Sequence, residues 1–191
     1  MIRLRFLLLF LCLAGLPCVA EPPGSAPTRE ELGRHLEALT RHISGMPYNG
    51  RWIPPDSTLA WTMDCSNTVR WLYLVTTRRL LPRTASDQYE ALRQARRLWR
   101  VRATDVDWRS KLRPGDLLFW ENTYRPKRKP PITHVMIYLG RNPDGSLRMA
   151  GAQGSRGVNI YTFRPEVPYG GYTWFLWFKR QGRFVAYGRP L

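Results

Sequence analysis

The stretch Asp64-Cys65-Ser66-Asn67-Thr68-Val69-Arg70-Trp71-Leu72-Tyr73 decides the fold, because it predicts a helix that begins at a cysteine. Apolar side chains follow the cysteine at helical spacing, and the residues on either side of it are both good helix caps. A thiol at a helix start lies beside unpaired backbone donors and the positive end of the helix dipole, which both favour the thiolate. The pattern therefore predicts a reactive cysteine. The alternative is an inert cysteine that packs as a small hydrophobe.

Helices precede strands along the chain. Thr28 with Glu31, and Thr84 with Asp87, form capping-box patterns, each followed by apolar residues at helical spacing. The apolar stripe of the later helix runs to Trp99. Segments of β character follow at 117–120, 132–139, 147–153, 158–163, 172–178 and 184–187. This order predicts an α+β fold in which N-terminal helices pack on a mostly antiparallel sheet.

The first twenty residues have the features of an export signal. Arg3 and Arg5 precede the apolar run 6–14, and Ala20 offers a cleavage point. We expect a signal peptide over 1–20, a Pro-rich flexible lead-in over 21–27 and one domain over 28–191. The mature protein is then secreted to a periplasmic or extracellular location, without stable membrane insertion. An uncleaved membrane tether is the alternative.

The chain is strongly basic. Its formal charge is +16, and removing Arg3 and Arg5 with the leader leaves about +14, which favours anionic partners. The basic residues are spread over several segments, whereas nucleic-acid binders concentrate them on one face with stacking aromatics. Together with export, this argues against nucleic acid and leaves acidic wall polymers and anionic lipid as possible partners. A generally solvated basic surface is the alternative.

One cysteine remains after removal of the leader, since Cys12 and Cys18 both lie within it. Cys65 therefore has no partner for an internal disulfide. His134 begins a strand-like segment, where its side chain can reach into a cleft. Because imidazole can take a proton from a thiol and return one to a leaving amine, we predict Cys65 as the nucleophile and His134 as general base and acid.

Five ordered segments together resemble the NlpC family of bacterial cell-wall cysteine peptidases. They are Gly45-Met46-Pro47-Tyr48, Asp64-Cys65-Ser66, Leu81 to Gln88, Arg113 to Trp120 and His134 to Gly140. The resemblance covers about 32–163 and implies a papain-like NlpC-type fold. It also implies hydrolysis of amide bonds in peptidoglycan stem peptides, commonly between a D-glutamate side chain and a diamino acid. Of the possible anionic partners, the resemblance implies peptidoglycan or another anionic cell-wall polymer.

The same resemblance assigns three further residues to the site. Tyr48 would lie beside the thiol and help to position it or to stabilise the oxyanion. Asp64 and Ser66 would line the cleft and hold the amino end of the substrate. The alternatives are loop packing for Tyr48 and helix capping for the other two.

The chain departs from the family at the third polar position, which commonly orients the catalytic imidazole and here falls on Gly151. Gln153 lies two residues on, hence on the same strand face, and is the candidate orienter. A water or a backbone carbonyl are alternatives. The departure leaves open a catalytically idle module that binds anionic wall material. A related thiol acyltransferase or amidase also remains open.

We predict no metal and no cofactor. His35 and His42 lie seven residues apart on one predicted helix, too far to share a metal without further ligands. The sequence contains no phosphate-cradling loop.

Overall fold

Helices come first in the fold, as they do in the predicted order. The computed structural model describes residues 27–48, 63–102, 104–154, 156–175 and 177–191. The helices are α1 (Arg29–His42), α2 (Cys65–Thr77), α3 (Ala85–Gln94) and α4 (Trp108–Lys111). The strands are β1 (Leu98–Arg100), β2 (Leu117–Glu121), β3 (Ile132–Arg141), β4 (Leu147–Gln153), β5 (Gly157–Phe163), β6 (Gly171–Phe175), β7 (Phe178–Gln181) and β8 (Arg183–Gly188).

Six strands form one sheet in the order β1-β8-β2-β3-β4-β5, and every neighbouring pair is antiparallel. β6 and β7 form a separate hairpin. The predicted α+β class is therefore confirmed. The predicted signal peptide and all but the last residue of the lead-in lie outside the described residues. Within the described ranges, no helix combines the length and the apolar character needed to cross a bilayer.

Both faces of the six-stranded sheet are covered. On one face, Val135, Ile137 and Leu139 of β3 pack in the core that also contains side chains of α1, α2 and α3. On the other face, Met136 and Tyr138 pack in a second core of aromatic residues. The alternation along β3 places successive side chains in different cores, as the period of two residues requires.

Local capping signals are confirmed. The Thr28 hydroxyl accepts from the backbone N–H of Glu31, and the Glu31 carboxylate accepts from the Thr28 N–H, which completes a capping box. Thr84 caps α3 by accepting from the N–H of Asp87, while the Asp87 carboxylate accepts from the Thr84 hydroxyl, so only half of the predicted capping box is formed. These hydrogen bonds join residues three apart, so the sequence alone is enough to predict them.

Two predicted elements are wrong in their extent. α3 ends at Gln94, and Leu98–Arg100 is not helical but pairs as β1 with β8, opposite Gly188 at the first position. The predicted strand 172–178 is two strands, since Phe175 pairs with Phe178 across a hairpin. The first error arises because pairing with a distant strand overrides local periodicity. The second arises because the sequence between the two paired phenylalanines has none of the residues that usually mark a turn.

The sheet divides at one end, between β3 and β4. The β3–β4 ladder runs from Arg141, opposite Leu147, to Ile137, opposite Ala150, and no further. Beyond that point β3 remains paired with β2, and the end of β4 remains paired with β5. The backbone groups of β3 that face this split are free to bond with other elements, and the first residue of α2 approaches them there.

Candidate active site

Cys65 is the first residue of α2 and is 4% exposed. The helix begins here because the side chain of Asp64 accepts from the backbone N–H of Asn67 over 2.7 Å and caps it. The predicted helix start is therefore confirmed. The cap fixes the cysteine at the end of the helix that faces the split in the sheet.

Three donors converge on the Cys65 sulfur. The backbone N–H groups of Val135 and Ser66 donate to it, and the Tyr48 hydroxyl donates over 4.0 Å. Tyr48 is held beside the thiol by pairing with Met63, whose N–H donates to the Pro47 carbonyl. The structure thus brings Tyr48 to the thiol, as the resemblance implies. The contact to Val135 places the sulfur against the backbone next to His134.

The free thiol is not held as an anion. Burial and the nearby charge of Asp64 raise the pKa of Cys65 to about 11, and the hydrogen bonds from Val135, Tyr48 and Ser66 offset only part of this. The prediction that the helix start favours the thiolate is therefore wrong. Its physical reason is desolvation, which outweighs the helix terminus once the sulfur is buried.

His134 lies on the opposite face of β3 from Val135 and is 3% exposed. Its ring packs between two aromatic rings, with centroid distances of 4.6 Å to Tyr169 and 5.5 Å to Trp120. Burial lowers the pKa of His134 to about 3. The imidazole is therefore neutral near pH 7 and able to accept a proton, while the thiol still carries one.

The third position is closed to any side chain. Gly151 has φ +149°, and a Cβ there would lie 2.6 Å from Sδ of the buried Met136. Gln153, the predicted orienter, lines the same cavity as His134, yet no hydrogen bond joins the two side chains in the described part of the chain. Nε2 of His134 is buried there without a hydrogen-bond partner. The predicted orienting contact is thus not made among the residues that the structure describes.

Asp64 and Ser66 belong to a polar network with Arg83. The Arg83 guanidinium contacts the Asp64 carboxylate at 2.8 Å and donates to the Ser66 hydroxyl over 3.0 Å, and that hydroxyl donates to Asp64 over 3.0 Å. The capping role considered for Asp64 is present, and its contact with substrate stays a prediction. Sequence reasoning missed Arg83, although it lies within the segment Leu81 to Gln88.

Two cavities flank the split in the sheet. One, of about 330 Å³, is lined by Cys65 and by the predicted residues Tyr48, Asp64 and Ser66. The other, of about 170 Å³, is lined by His134 and Gln153. The structure therefore brings the first four predicted residues together and places the other two in a second cavity, on the opposite face of β3.

Other residues complete the two cavities. Arg83 and Arg128 line the cysteine cavity, and Tyr169 lines the histidine cavity while interacting electrostatically with Cys65. The basic run 125–129 signalled Arg128 as a charge, whereas nothing in the sequence pointed to Tyr169. Among the described residues, no group of three His, Cys, Asp or Glu side chains is placed to hold a metal ion.

This chain is similar to one known protein family and to several solved structures. The sequence profile of the NlpC/P60 family matches residues 48–168. A structure described as similar to lipoprotein, NLP/P60 family, from Staphylococcus aureus subsp. aureus Mu50 is 24% identical with a TM-score of 0.46, and the match covers 73% of this chain and 39% of that one. The NlpC/p60 domain of the peptidoglycan hydrolase SagA is 24% identical with a TM-score of 0.43, covering 68% and 88%. No curated protein matches the chain.

Proposed function

Because the chain belongs to the NlpC/P60 family, we propose that it is a cysteine peptidase that hydrolyses amide bonds in peptidoglycan stem peptides. The family consists in general of cysteine peptidases and related hydrolases. The observation that carries the proposal is the position of Cys65. It begins a helix, and its sulfur accepts a hydrogen bond from the backbone N–H of Val135, the residue after His134. The proposal identifies Cys65 as the nucleophile and His134 as the base.

The reaction begins from a neutral pair. His134 takes the thiol proton as Sγ of Cys65 attacks the amide carbonyl carbon, which gives a tetrahedral oxyanion and an imidazolium. The C–N bond then breaks, and the imidazolium gives its proton to the leaving amine. Water, deprotonated by His134, attacks the thioester and releases the acid with the thiol restored. The proposal gives Tyr48, whose hydroxyl lies 4.0 Å from the sulfur, the role of donating to the oxyanion.

A neutral pair suits this sequence of steps. A buried thiolate and a buried imidazolium are both disfavoured before substrate binds, because each would be a charge in a desolvated site. Proton transfer during attack creates the imidazolium and the oxyanion together, so that these opposite charges stabilise each other. The enzyme is then a general-base catalyst and does not depend on a preformed thiolate.

The charges around the cysteine cavity favour a substrate that carries carboxylates. Arg128 and Arg83 both line it, and Arg83 is already paired with Asp64. Stem peptides contain free carboxylates beside the amide bonds, and a guanidinium can bind a carboxylate through two parallel hydrogen bonds. If Asp64 and Ser66 bind the amino end of the substrate, that amino group shares the Asp64 carboxylate with Arg83.

The location follows from the same proposal. A peptidase that acts on the wall must reach it, and the leader-like features of residues 1–20 provide the route. We place the mature protein in the periplasm or outside the cell, with a basic surface that favours adsorption to anionic wall polymers.

The test is release of new amine termini from purified sacculi by residues 21–191. The protein is expected to release them, and Cys65→Ala and Cys65→Ser are expected to release none. Equal release by wild type and Cys65→Ala would overturn the assignment of the nucleophile. A second candidate function, an idle wall-binding module, is favoured by the unpartnered Nε2 of His134. It predicts that wild type and Cys65→Ala sediment with sacculi alike and that neither releases amines.

A further inference from the structure

The His134 imidazole is enclosed by rings and not by hydrogen bonds. The Tyr169 ring lies over it with a centroid distance of 4.6 Å and an interplanar angle of 35°, and the Trp120 ring meets it edge-on at 5.5 Å and 64°. Both neighbours line the histidine cavity with it. Aromatic contacts of this kind fix the plane of the imidazole and leave both of its nitrogens able to give or accept a proton.

Nothing at the usual third position restrains the imidazole. Gly151 has no side chain, and the space that one would need is filled by Met136. In the described part of the chain, Nε2 of His134 has no partner, so Gln153 does not hold the ring through it. An imidazole used as a base must be held in one orientation, because a misplacement of about 1 Å can cost about 10²-fold in rate.

Tyr169 is itself held firmly in place. Its backbone N–H donates to the Gly182 carbonyl over 3.0 Å, and its hydroxyl lies near the backbone N–H of Gly154. The next turn is fixed as well, since the N–H of Gly171 donates to the Thr123 carbonyl over 2.8 Å. The backbone that carries the ring is therefore held by segments that precede β3 and follow β7.

Tyr169 also lies within electrostatic range of the predicted nucleophile. Its ring packs on the imidazole, while its hydroxyl end interacts electrostatically with Cys65 and with Tyr48. One side chain thus contacts the base and lies near the nucleophile. Its backbone falls one residue beyond the segment that matches the family profile, which ends at 168.

We propose that Tyr169 is the positioning residue for His134 and replaces, by ring packing, the side chain that position 151 lacks. This inference rests on the proposed function for its kinetic consequence. The Tyr169 ring restrains the imidazole in the orientation that removal of the thiol proton needs, and it keeps water off the base. The Tyr169 hydroxyl is not needed for this restraint.

The experiment compares Tyr169→Phe, Tyr169→Leu and Gln153→Ala in hydrolysis of a soluble stem peptide and in titration of the histidine ring by NMR. Tyr169→Phe keeps the ring and is expected to keep kcat. Tyr169→Leu is expected to lose about 100-fold in kcat with little change in KM, since the base and not the substrate is misplaced. Gln153→Ala is expected to behave as wild type.

The titration gives a readout that does not depend on activity. His134, assigned by its loss in His134→Gln, is expected to titrate near pH 3 in wild type and in Tyr169→Phe. In Tyr169→Leu its midpoint should move up toward 6.5, because the ring no longer excludes water. The same low midpoint for His134 in wild type, Tyr169→Phe and Tyr169→Leu would overturn the inference.

The kinetic measurements can also overturn the inference. Full activity in Tyr169→Leu, or a 100-fold loss in Gln153→Ala alone, would assign positioning elsewhere and overturn the inference. If Tyr169→Leu does not fold, cross-relaxation between the Tyr169 and His134 rings is measured in wild type, and its absence overturns the inference. If wild type hydrolyses nothing, the proposed function fails, and the titration still decides whether Tyr169 encloses His134.

Discussion

The Met136 side chain fills the space that a side chain on Gly151 would need. Sδ of Met136 lies 2.6 Å from where a Cβ on Gly151 would be, and Gly151 has φ +149°, a backbone conformation that suits glycine. Met136 is fully buried, so its sulfur has no open space into which to move. The position where the family commonly has its third polar residue is therefore closed by packing as well as by the absence of a side chain.

Gly151→Ala is expected to lower the free energy of unfolding by about 3 kcal/mol, from overpacking and backbone strain together. Gly145→Ala is the matched control, since Gly145 also has a positive φ, +81°, but no atom lies within 4 Å of the added Cβ. Urea unfolding measures both. In the double variant with Met136→Ala, the loss of unfolding free energy should be smaller than the sum of the losses in the two single variants. Strict additivity would mean that the Met136 contact does not close the position.

Alkylation of Cys65 by iodoacetamide is expected to be slow at pH 7 and to rise about tenfold per pH unit toward a midpoint near 11. The thiolate is the reactive form, and a raised pKa leaves little of it at neutral pH. Asp64→Asn keeps a capping side chain and removes a charge that raises the pKa, so its rate profile should move to lower pH. Rapid labelling of wild type below pH 7 would contradict the buried neutral thiol.

The fold should lose stability as pH falls, because His134 is buried in its neutral form. Its pKa is about 3 folded and about 6.5 unfolded, so the unfolded state binds more protons between these values. The contribution is fully present above pH 6.5 and is lost toward pH 3, by about 3 kcal/mol at pH 4.5. Urea unfolding of His134→Gln should show a flatter dependence over this range. His35→Gln, at an exposed position of α1, is the control and should keep the wild-type slope.

Arg128→Ala is expected to raise KM for a carboxylate-bearing stem peptide about tenfold and to leave kcat unchanged, because a charge-assisted hydrogen bond of about 1.5 kcal/mol is lost from binding alone. Arg128 donates to the Tyr124 hydroxyl over 2.5 Å at the cysteine cavity. Arg125→Ala removes the same charge from the same loop outside that cavity and is the control. Equal effects of the two variants would indicate general electrostatic attraction and not a carboxylate site.

Sequence reasoning succeeded where the deciding contacts are local. The caps at Thr28, Asp64 and Thr84 join residues three apart, and the structure confirms all three. The ordered motifs predicted the family, which the profile match confirms. Short-range hydrogen bonds and linear motifs involve residues that are close together along the chain, so the order of the amino acids is enough to predict them.

The rest depended on contacts between distant segments. The pairing of Leu98 with Gly188 turned a predicted helical end into a strand. The pKa of Cys65 was raised by burial, which no local pattern reports. Tyr169 reaches His134 from a loop thirty-five positions later, and no periodicity connects the two. Site geometry of this kind requires the folded chain.

The place of β8 makes completion of the sheet a late step in folding. This strand lies between β1 and β2, and its Arg183 pairs with Glu121 across 62 positions. Until Arg183–Gly188 joins the sheet, one edge of the apolar β2 is unpaired and can pair with a strand of another chain. The unfinished sheet is therefore open to aggregation until this last strand is in place.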